Sequence, residues 1–316
     1  MATAFDKFEQ SEFITIQCPL CTGLDHKFER KVDGFTLVQC RSCGMVFVNP
    51  QLDSKSLTRI YEEKTDPEAL VELYAKIATP KVIEGYDEKL RQLEKLLGSK
   101  GRILDFACAA AYFVERAALM GWEAHGSDIG AWVSLATERR GLRNIHIGQL
   151  HDLHFPDGYF EVVYAAQVFE HLQAPLPVLA EIKRILKPNG ILYVDVPNYR
   201  TIPIVLNRDD FFLNSPPQHI NFFTPKTLSR LLNEGGFQID LLNSEGGLKW
   251  ENVFGLPIRS DIADAYRTST EHVDDNRQHR QKLGTRLFGI VKPVFATILY
   301  DHAKVGMNLV AISRPA

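Results

Sequence analysis

A chain of 316 residues, 45% hydrophobic and 24% charged, can bury one substantial core and carry a small accessory module, and its composition excludes a disordered chain. A formal net charge of −3 gives none of the overall basic footprint usual in nucleic-acid binders, so a small-molecule substrate is the default expectation and nucleic acid an unlikely partner. The apolar runs fall short of the ~18 residues of a membrane span, and the opening MATAFDKFEQ lacks the basic and apolar regions of a signal peptide, which points to the cytoplasm.

Four of the five cysteines come first. Cys18-Pro-Leu-Cys21 and Cys40-Arg-Ser-Cys43-Gly44 are separated by eighteen residues, the two-knuckle spacing of a zinc ribbon. Each C-x-x-C turn aims two thiolates at one ion and the second pair completes a tetrahedron, so a segment with little core gains stability from coordination. Four protein ligands leave no open position, and the expected zinc is therefore structural. Lys27, Arg30, Lys31 and Arg41 nearly balance Asp25, Glu29 and Asp33, which argues against a ribbon that binds RNA. Residues 1–51 are assigned to this module.

Residues 52–100 read as a helical linker or lid, because LTRIYEEK, LVELYAKIA and YDEKLRQLEKLLG repeat apolar residues at three- and four-residue spacing. From Arg102 short apolar strands alternate with helices: RILDF, a helix from about Phe113 to Met120, WEAHGSD, a helix near Trp132 to Arg140, NIHIG, then FEVVYAA. A helix from about Val178 to Leu186 should stop at Lys187-Pro188-Asn189-Gly190 before the strand ILYVDVP. A loop over 198–223, a helix from Pro225 to Glu234, the strand FQIDLLN, a polar insertion at 258–283, an apolar helix near Leu287 to Tyr300 and a last strand, MNLVAIS, complete the domain at 101–316. This alternation predicts an α/β fold with a mostly parallel sheet and helices on both faces.

The run Ile103-Leu104-Asp105-Phe106-Ala107-Cys108-Ala109-Ala110-Ala111-Tyr112-Phe113 follows the first strand and opens a helix. Ordered companions are GSD at 126–128, GQLHDLHFPDGYFEVVYA at 148–165, Glu170-His171-Leu172, LKPNGILYVDVPN at 186–198 and HINFFTPKTLSRLLNEGGF at 219–237. Together these resemble the class I methyltransferases that depend on S-adenosylmethionine (SAM), in the subgroup carrying an N-terminal zinc ribbon. The resemblance implies a Rossmann-like sheet of seven strands and SAM as cofactor. It places Asp105, Ala107, Cys108, Ala109, Tyr112, Phe113, Asp128, Ile129, Gln149, Leu150 and Gln167 around the cofactor. Asp128, ending the second strand, is where an acidic side chain can accept bonds from the ribose hydroxyls, with capping of the next helix as the alternative. Gln149 stands where an acidic residue is expected near the adenine amino group, and its amide oxygen can also accept that bond.

Ala107, Ala109 and Ala111 stand where the family carries glycines. Glycine tolerates positive φ and lets backbone approach a ligand, whereas an alanine in left-handed geometry costs roughly 1–2 kcal/mol. The alternatives are a native loop that still binds SAM, a lineage that lost methyl transfer and keeps the fold for binding or regulation, an engineered cofactor-site variant and, less favoured, an RNA methyltransferase. Cys108 within the loop reads as a small packed residue. On the acceptor side His171, after the fourth strand, and His219, after the fifth, are the candidate general bases. Tyr199 and the cluster Phe211, Phe212, Phe222 and Phe223 are candidate linings of the acceptor cleft, with ordinary packing the alternative for the phenylalanines. The acceptor atom and the oligomeric state are not written in the sequence.

Overall fold

A computed structural model describes residues 5–63, 66–130, 132–138, 140–200, 216–245 and 307–316. The polar insertion, the apolar segment 287–300, Phe211 and Phe212 lie outside these residues. The ribbon region contributes β1 (Phe13–Ile14), β2 (His26–Val32), β3 (Phe35–Cys40), β4 (Val46–Val48) and β5 (Gln51–Leu52). Three helices follow, α1 (Ser54–Glu63), α2 (Pro67–Ile77) and α3 (Pro80–Leu97), matching the helical reading of 52–100. Their boundaries have local causes. Asp66 caps α2 by accepting from the Glu68 amide, Thr79 caps α3 by accepting from Val82, both begin with Pro, and Gly98 ends α3 at φ 78°.

The larger domain is β6 (Arg102–Phe106), α4 (Tyr112–Leu119), β7 (Glu123–Asp128), α5 (Trp132–Glu138), β8 (Ile145–Ile147), β9 (Phe160–Ala166), α6 (Pro175–Ile185), β10 (Leu186–Pro197), β11 (Asn221–Phe222), α7 (Pro225–Glu234), β12 (Phe237–Glu245) and β13 (Asn308–Pro315). Seven of these strands form one sheet in the order β12-β13-β10-β9-β6-β7-β8. All run parallel except β13, which is antiparallel to both β10 and β12. The order reverses at β6 and β9, so the crevice at their carboxyl ends is where such a sheet receives ligands. One apolar cluster, with Phe160, Leu179, Ile182 and Leu231, covers one face, and another, with Leu90, Phe113, Val114 and Val133, covers the other. Helices therefore lie on both faces, as the alternation predicts.

Two elements differ from the sequence reading. β10 begins at Leu186 rather than after the Lys187-Pro188-Asn189-Gly190 stop, because Leu186 already pairs with Phe160; the register then shifts before Ile191 meets Val162. The larger difference is β11. Asn221 and Phe222 come from the loop after β10, yet they pair antiparallel with Phe47 and Val46, giving a second sheet ordered β11-β4-β3-β2. The Val48 amide also donates to the Ile220 carbonyl at 2.9 Å. Cys18, Cys40, Cys43, Met45 and Phe47 share one apolar cluster with Phe169, Phe223 and Leu228. The ribbon is joined to the larger domain by backbone pairing and by core.

Candidate active site

The alanine loop keeps the backbone geometry for which glycine is ordinarily needed. Ala107, Ala109 and Ala111 have φ of 61°, 48° and 56°. The path is fixed by backbone bonds, Cys108 N donating to Ser127 O at 2.9 Å and Ala111 N to Cys108 O at 2.7 Å. A third bond comes from the neighbouring strand: the Ala109 amide donates to Asp128 Oδ2 at 2.9 Å, and Gly130 N donates to Oδ1 at 3.0 Å. Gly126 permits this close approach, since a Cβ there would stand 2.9 Å from Cys108 Sγ and 2.8 Å from the Ile145 side chain.

Two carboxyl groups face this loop from adjacent strand ends. Asp105, the last residue but one of β6, is buried; burial, with the charge of Asp128 second, holds its carboxyl well above the usual range. A buried carboxylate raised in this way is ready to be offset by a cationic ligand, such as the ammonium and sulfonium groups of SAM. Asp128 is raised too, by burial, although its bonds from backbone amides oppose the shift. Its two oxygens offer about four acceptor sites, so the two amides leave capacity for ribose hydroxyls. The capping and ribose readings of Asp128 are therefore compatible. These residues fit the cofactor that the resemblance implies.

The other expected cofactor residues divide by environment. Ile129 is 46% exposed, Gln149 is exposed and Leu150 is buried, all beyond the carboxyl ends of β7 and β8. Tyr112 opens α4 and lies under the Arg140 guanidinium at 4.1 Å. Phe113 gives its ring to the core, stacked on Tyr164 at 3.9 Å. Cys108 is buried, and burial pushes its thiol far up, which makes it an inert packed residue rather than a nucleophile.

Across the crevice, Gln167 directly follows β9 and is itself left-handed at φ 58°. Its amide donates to the Asp195 carbonyl at 2.7 Å and its side chain to Asp195 Oδ1 at 3.0 Å. Lys89 of α3 approaches Asp195 Oδ2 at 3.4 Å, and Tyr86, one turn earlier, is pushed up to about 12 by burial and by Asp105 and Asp195. Sequence reasoning missed Tyr86, Lys89 and Asp195. The signal available was the three-residue spacing of Tyr86 and Lys89 on one helix face.

His171 and His219 are brought together, with ring centroids 4.7 Å apart at 82°. The 3-10 turn Phe169–His171 carries the first, and the segment before β11 carries the second. Ile220 N donates to Glu170 O at 2.9 Å, and Asn221 Nδ2 donates to Phe169 O and Leu172 O at 3.2 and 2.6 Å, locking the two segments. Burial and the neighbouring His219 push His171 down to about 3, so its imidazole is neutral. Tyr199, Phe222 and Phe223 do not line this crevice in the way expected. Tyr199 Oη donates to Glu29 at 3.3 Å and packs with Phe222 in the ribbon-side cluster, while Phe223 is 1% exposed in the core. The pairing of β11 with β4 turns these rings toward the ribbon.

In the ribbon Cys18 Sγ and Cys43 Sγ lie 3.5 Å apart, as do Cys21 Sγ and Cys40 Sγ, and all four sulfurs lie within 4.8 Å of one another. Such separations are too long for disulfides of ~2.05 Å. Sulfurs at ~2.3 Å from one tetrahedral zinc would stand roughly 3.8 Å apart, so the cluster fits that ion. Among the described residues no helix is long and apolar enough to cross a membrane.

A family model described as a methyltransferase domain matches residues 78–242, more than half of the chain. A Mycolicibacterium smegmatis protein named as a probable S-adenosylmethionine-dependent methyltransferase is 30% identical over 139 residues, 44% of this chain and 52% of that protein. An uncharacterized methyltransferase of Schizosaccharomyces pombe is 39% identical over 57 residues, 18% of this chain and 20% of that protein. The chain thus matches about half or less of these relatives' own lengths. Among solved structures, a SAM-dependent methyltransferase from Archaeoglobus fulgidus aligns with 73% of this chain and 94% of its own at 18% identity and a TM-score of 0.48. One from Aquifex aeolicus aligns with 57% of this chain and 93% of its own at 20% identity and a TM-score of 0.42.

Proposed function

The chain belongs to the methyltransferase-domain family, with the class I architecture that depends on SAM, and from that premise we propose that it transfers the methyl group of SAM to a small-molecule acceptor. The observation that carries this reading is the loop of Ala107, Ala109 and Ala111, which holds left-handed geometry at all three positions and is tied to Asp128 through the Ala109 amide. SAM supplies a methyl group on a sulfonium, which leaves to a nucleophile in line with it.

The protein's own work is then positional and protonic. Asp105 faces the cationic portion of the cofactor and Asp128 its ribose, while Tyr112, Ile129, Gln149, Leu150 and Gln167 border it. The acceptor lies between the ends of β9 and β10, beside Asp195 and Lys89. His171 and His219 supply the nitrogens that face an acceptor that must lose a proton; the burial that keeps His171 unprotonated also weakens it as a base, so the acceptor it suits is one whose proton is already acidic. The four ribbon cysteines hold a structural zinc. Calorimetric titration with SAM tests the reading: binding that Asp128→Ala weakens supports it, and no binding at millimolar SAM overturns it. The second reading, a fold kept for binding alone, draws on the alanine methyls in the loop; methyl transfer to any acceptor would reject it.

A further inference from the structure

Glu170, His171 and His219 place a carboxylate oxygen and imidazole nitrogens within 4.8 Å of one another, apart from the ribbon cysteines and the alanine loop. Glu170 is 1% exposed, and both of its carboxyl oxygens are buried without a hydrogen-bond donor. A buried carboxyl group is normally matched by donors or by a cation, and among the described residues no hydrogen-bond donor meets Glu170, its one charged approach being His171 Nε2 at 3.8 Å.

The imidazoles are set to complete such a match. His171 Nδ1 lies 3.0 Å from the Gln218 carbonyl, which can only accept, so Nδ1 carries the proton. The lone pair is therefore on Nε2, the nitrogen that stands 3.8 Å from Glu170 Oε1. Giving one ring N–H to a carbonyl and the other nitrogen to an ion is the usual arrangement of a metal-ligating histidine. His219 approaches edge-to-face from the segment that Ile220 and Asn221 bind to the same turn. Ligand atoms ~2.1 Å from one ion stand up to roughly 4.2 Å apart, so small side-chain rotations close this set on a cation.

We propose that Glu170, His171 and His219 bind a divalent cation, and that the acceptor is a molecule with two adjacent oxygen donors that complete its coordination. Two imidazoles and one carboxylate suit a first-row ion and leave open positions for further oxygen ligands. The first half stands on the three side chains alone; the second rests on the methyl-transfer reading above. With the cation in place, the imidazoles serve as its ligands instead of as bases, and the ion acidifies the acceptor hydroxyl, whose proton passes to water as its oxygen takes the methyl group from the sulfonium.

The test is a titration of the full, zinc-replete chain with MnCl2, followed by the loss of the free Mn2+ paramagnetic resonance signal. The expected result is a single bound Mn2+ per chain, weakened at least tenfold by Glu170→Gln and by His219→Gln. Glu170→Gln keeps the side-chain shape and His219 is partly exposed, and retained zinc content and circular dichroism identify folded variants. No Mn2+ binding, or binding unchanged in both folded variants, overturns the site. SAM titration of the same samples separates the two readings: SAM bound without Mn2+ defeats only this site, and Mn2+ bound without SAM defeats only methyl transfer. Catechol, as a probe with adjacent oxygens, should lower the water-proton relaxation produced by the bound Mn2+; an unchanged relaxation overturns the assignment of acceptor class.

Discussion

Asp128 reaches from the end of β7 to accept the amide hydrogen of Ala109 at 2.9 Å, so the carboxylate proposed to receive the cofactor's ribose also holds the loop's backbone. Hydrogen bonds to charged groups contribute about 1.5–3 kcal/mol. Asp128→Ala is therefore expected to lower SAM affinity about tenfold to a hundredfold, and Asp128→Asn, which keeps an acceptor oxygen, by less. Titration calorimetry on the two variants checks the order; equal affinities in all three proteins would remove Asp128 from the site.

The three alanines carry the cost of left-handed backbone, roughly 1–2 kcal/mol for each non-glycine residue. Glycine relieves it but adds freedom to the unfolded chain, which returns about 0.4–1 kcal/mol. Each of Ala107→Gly, Ala109→Gly and Ala111→Gly should thus raise stability by up to about 1 kcal/mol, with tighter SAM binding as methyls leave the loop. Urea unfolding of the single and triple variants measures the first effect. A triple variant less stable than the parent would mean that the alanine methyls pack more favourably than their backbone strain costs.

His125 and His146 lie with Nδ1 and Nε2 at 3.2 Å, beside Phe155, Tyr159 and Phe160, with Glu123 and Arg102 as the charged neighbours of His125. Burial, and for His125 the facing His146, lowers both imidazoles below their ordinary value. At these two groups the folded protein binds fewer protons than the unfolded chain, so their contribution to stability falls as pH drops below about 6.5. The raised carboxyls of Asp105 and Glu170 act in the opposite sense, so the pair is read by comparison: on going from pH 7.5 to 5.5, His125→Phe, which suits the aromatic surroundings, should retain more of its urea midpoint than the parent does. A variant with an unchanged pH slope would assign the effect elsewhere.

A chelator of the zinc proposed for the ribbon, or Cys43→Ser, should unfold the ribbon, since such coordination contributes on the order of 10 kcal/mol in comparable peptides. Because β11 is paired to β4, amide exchange should also rise at Ile220–Phe222, in the neighbourhood of His219. Hydrogen-exchange mass spectrometry reads this directly. Protection at 220–222 that survives zinc loss would show that the pairing persists without the metal.

Much of this architecture is legible from local pattern. RILDF, the helix Pro225–Glu234 and FQIDLLN fall where periodicity and caps put them, because the information for each lies within its own residues. Cys18, Cys21, Cys40 and Cys43 are legible from spacing for the same reason. What is not legible is pairing between distant segments. Asn221 and Phe222 form a strand too short to show a period, and their partner lies in another module, so Phe222 and Tyr199 read as cleft residues until β4 accounts for them. Lys89 and Asp195 escape notice likewise, since a lysine on a helix and an aspartate in a strand acquire meaning only when α3 crosses the sheet end.

The boundary between ribbon and larger domain also looks clean in sequence, near residue 51, and is not clean in space. Removing the first 51 residues would strip β11 of its partner and open Met45, Phe47 and the cysteines' side of a shared core. The ribbon is thus not a detachable tag. An exchange of ribbons between related proteins would have to carry the Ile220–Phe222 segment with it, so the two parts are expected to change together over evolutionary time, as one inherited unit.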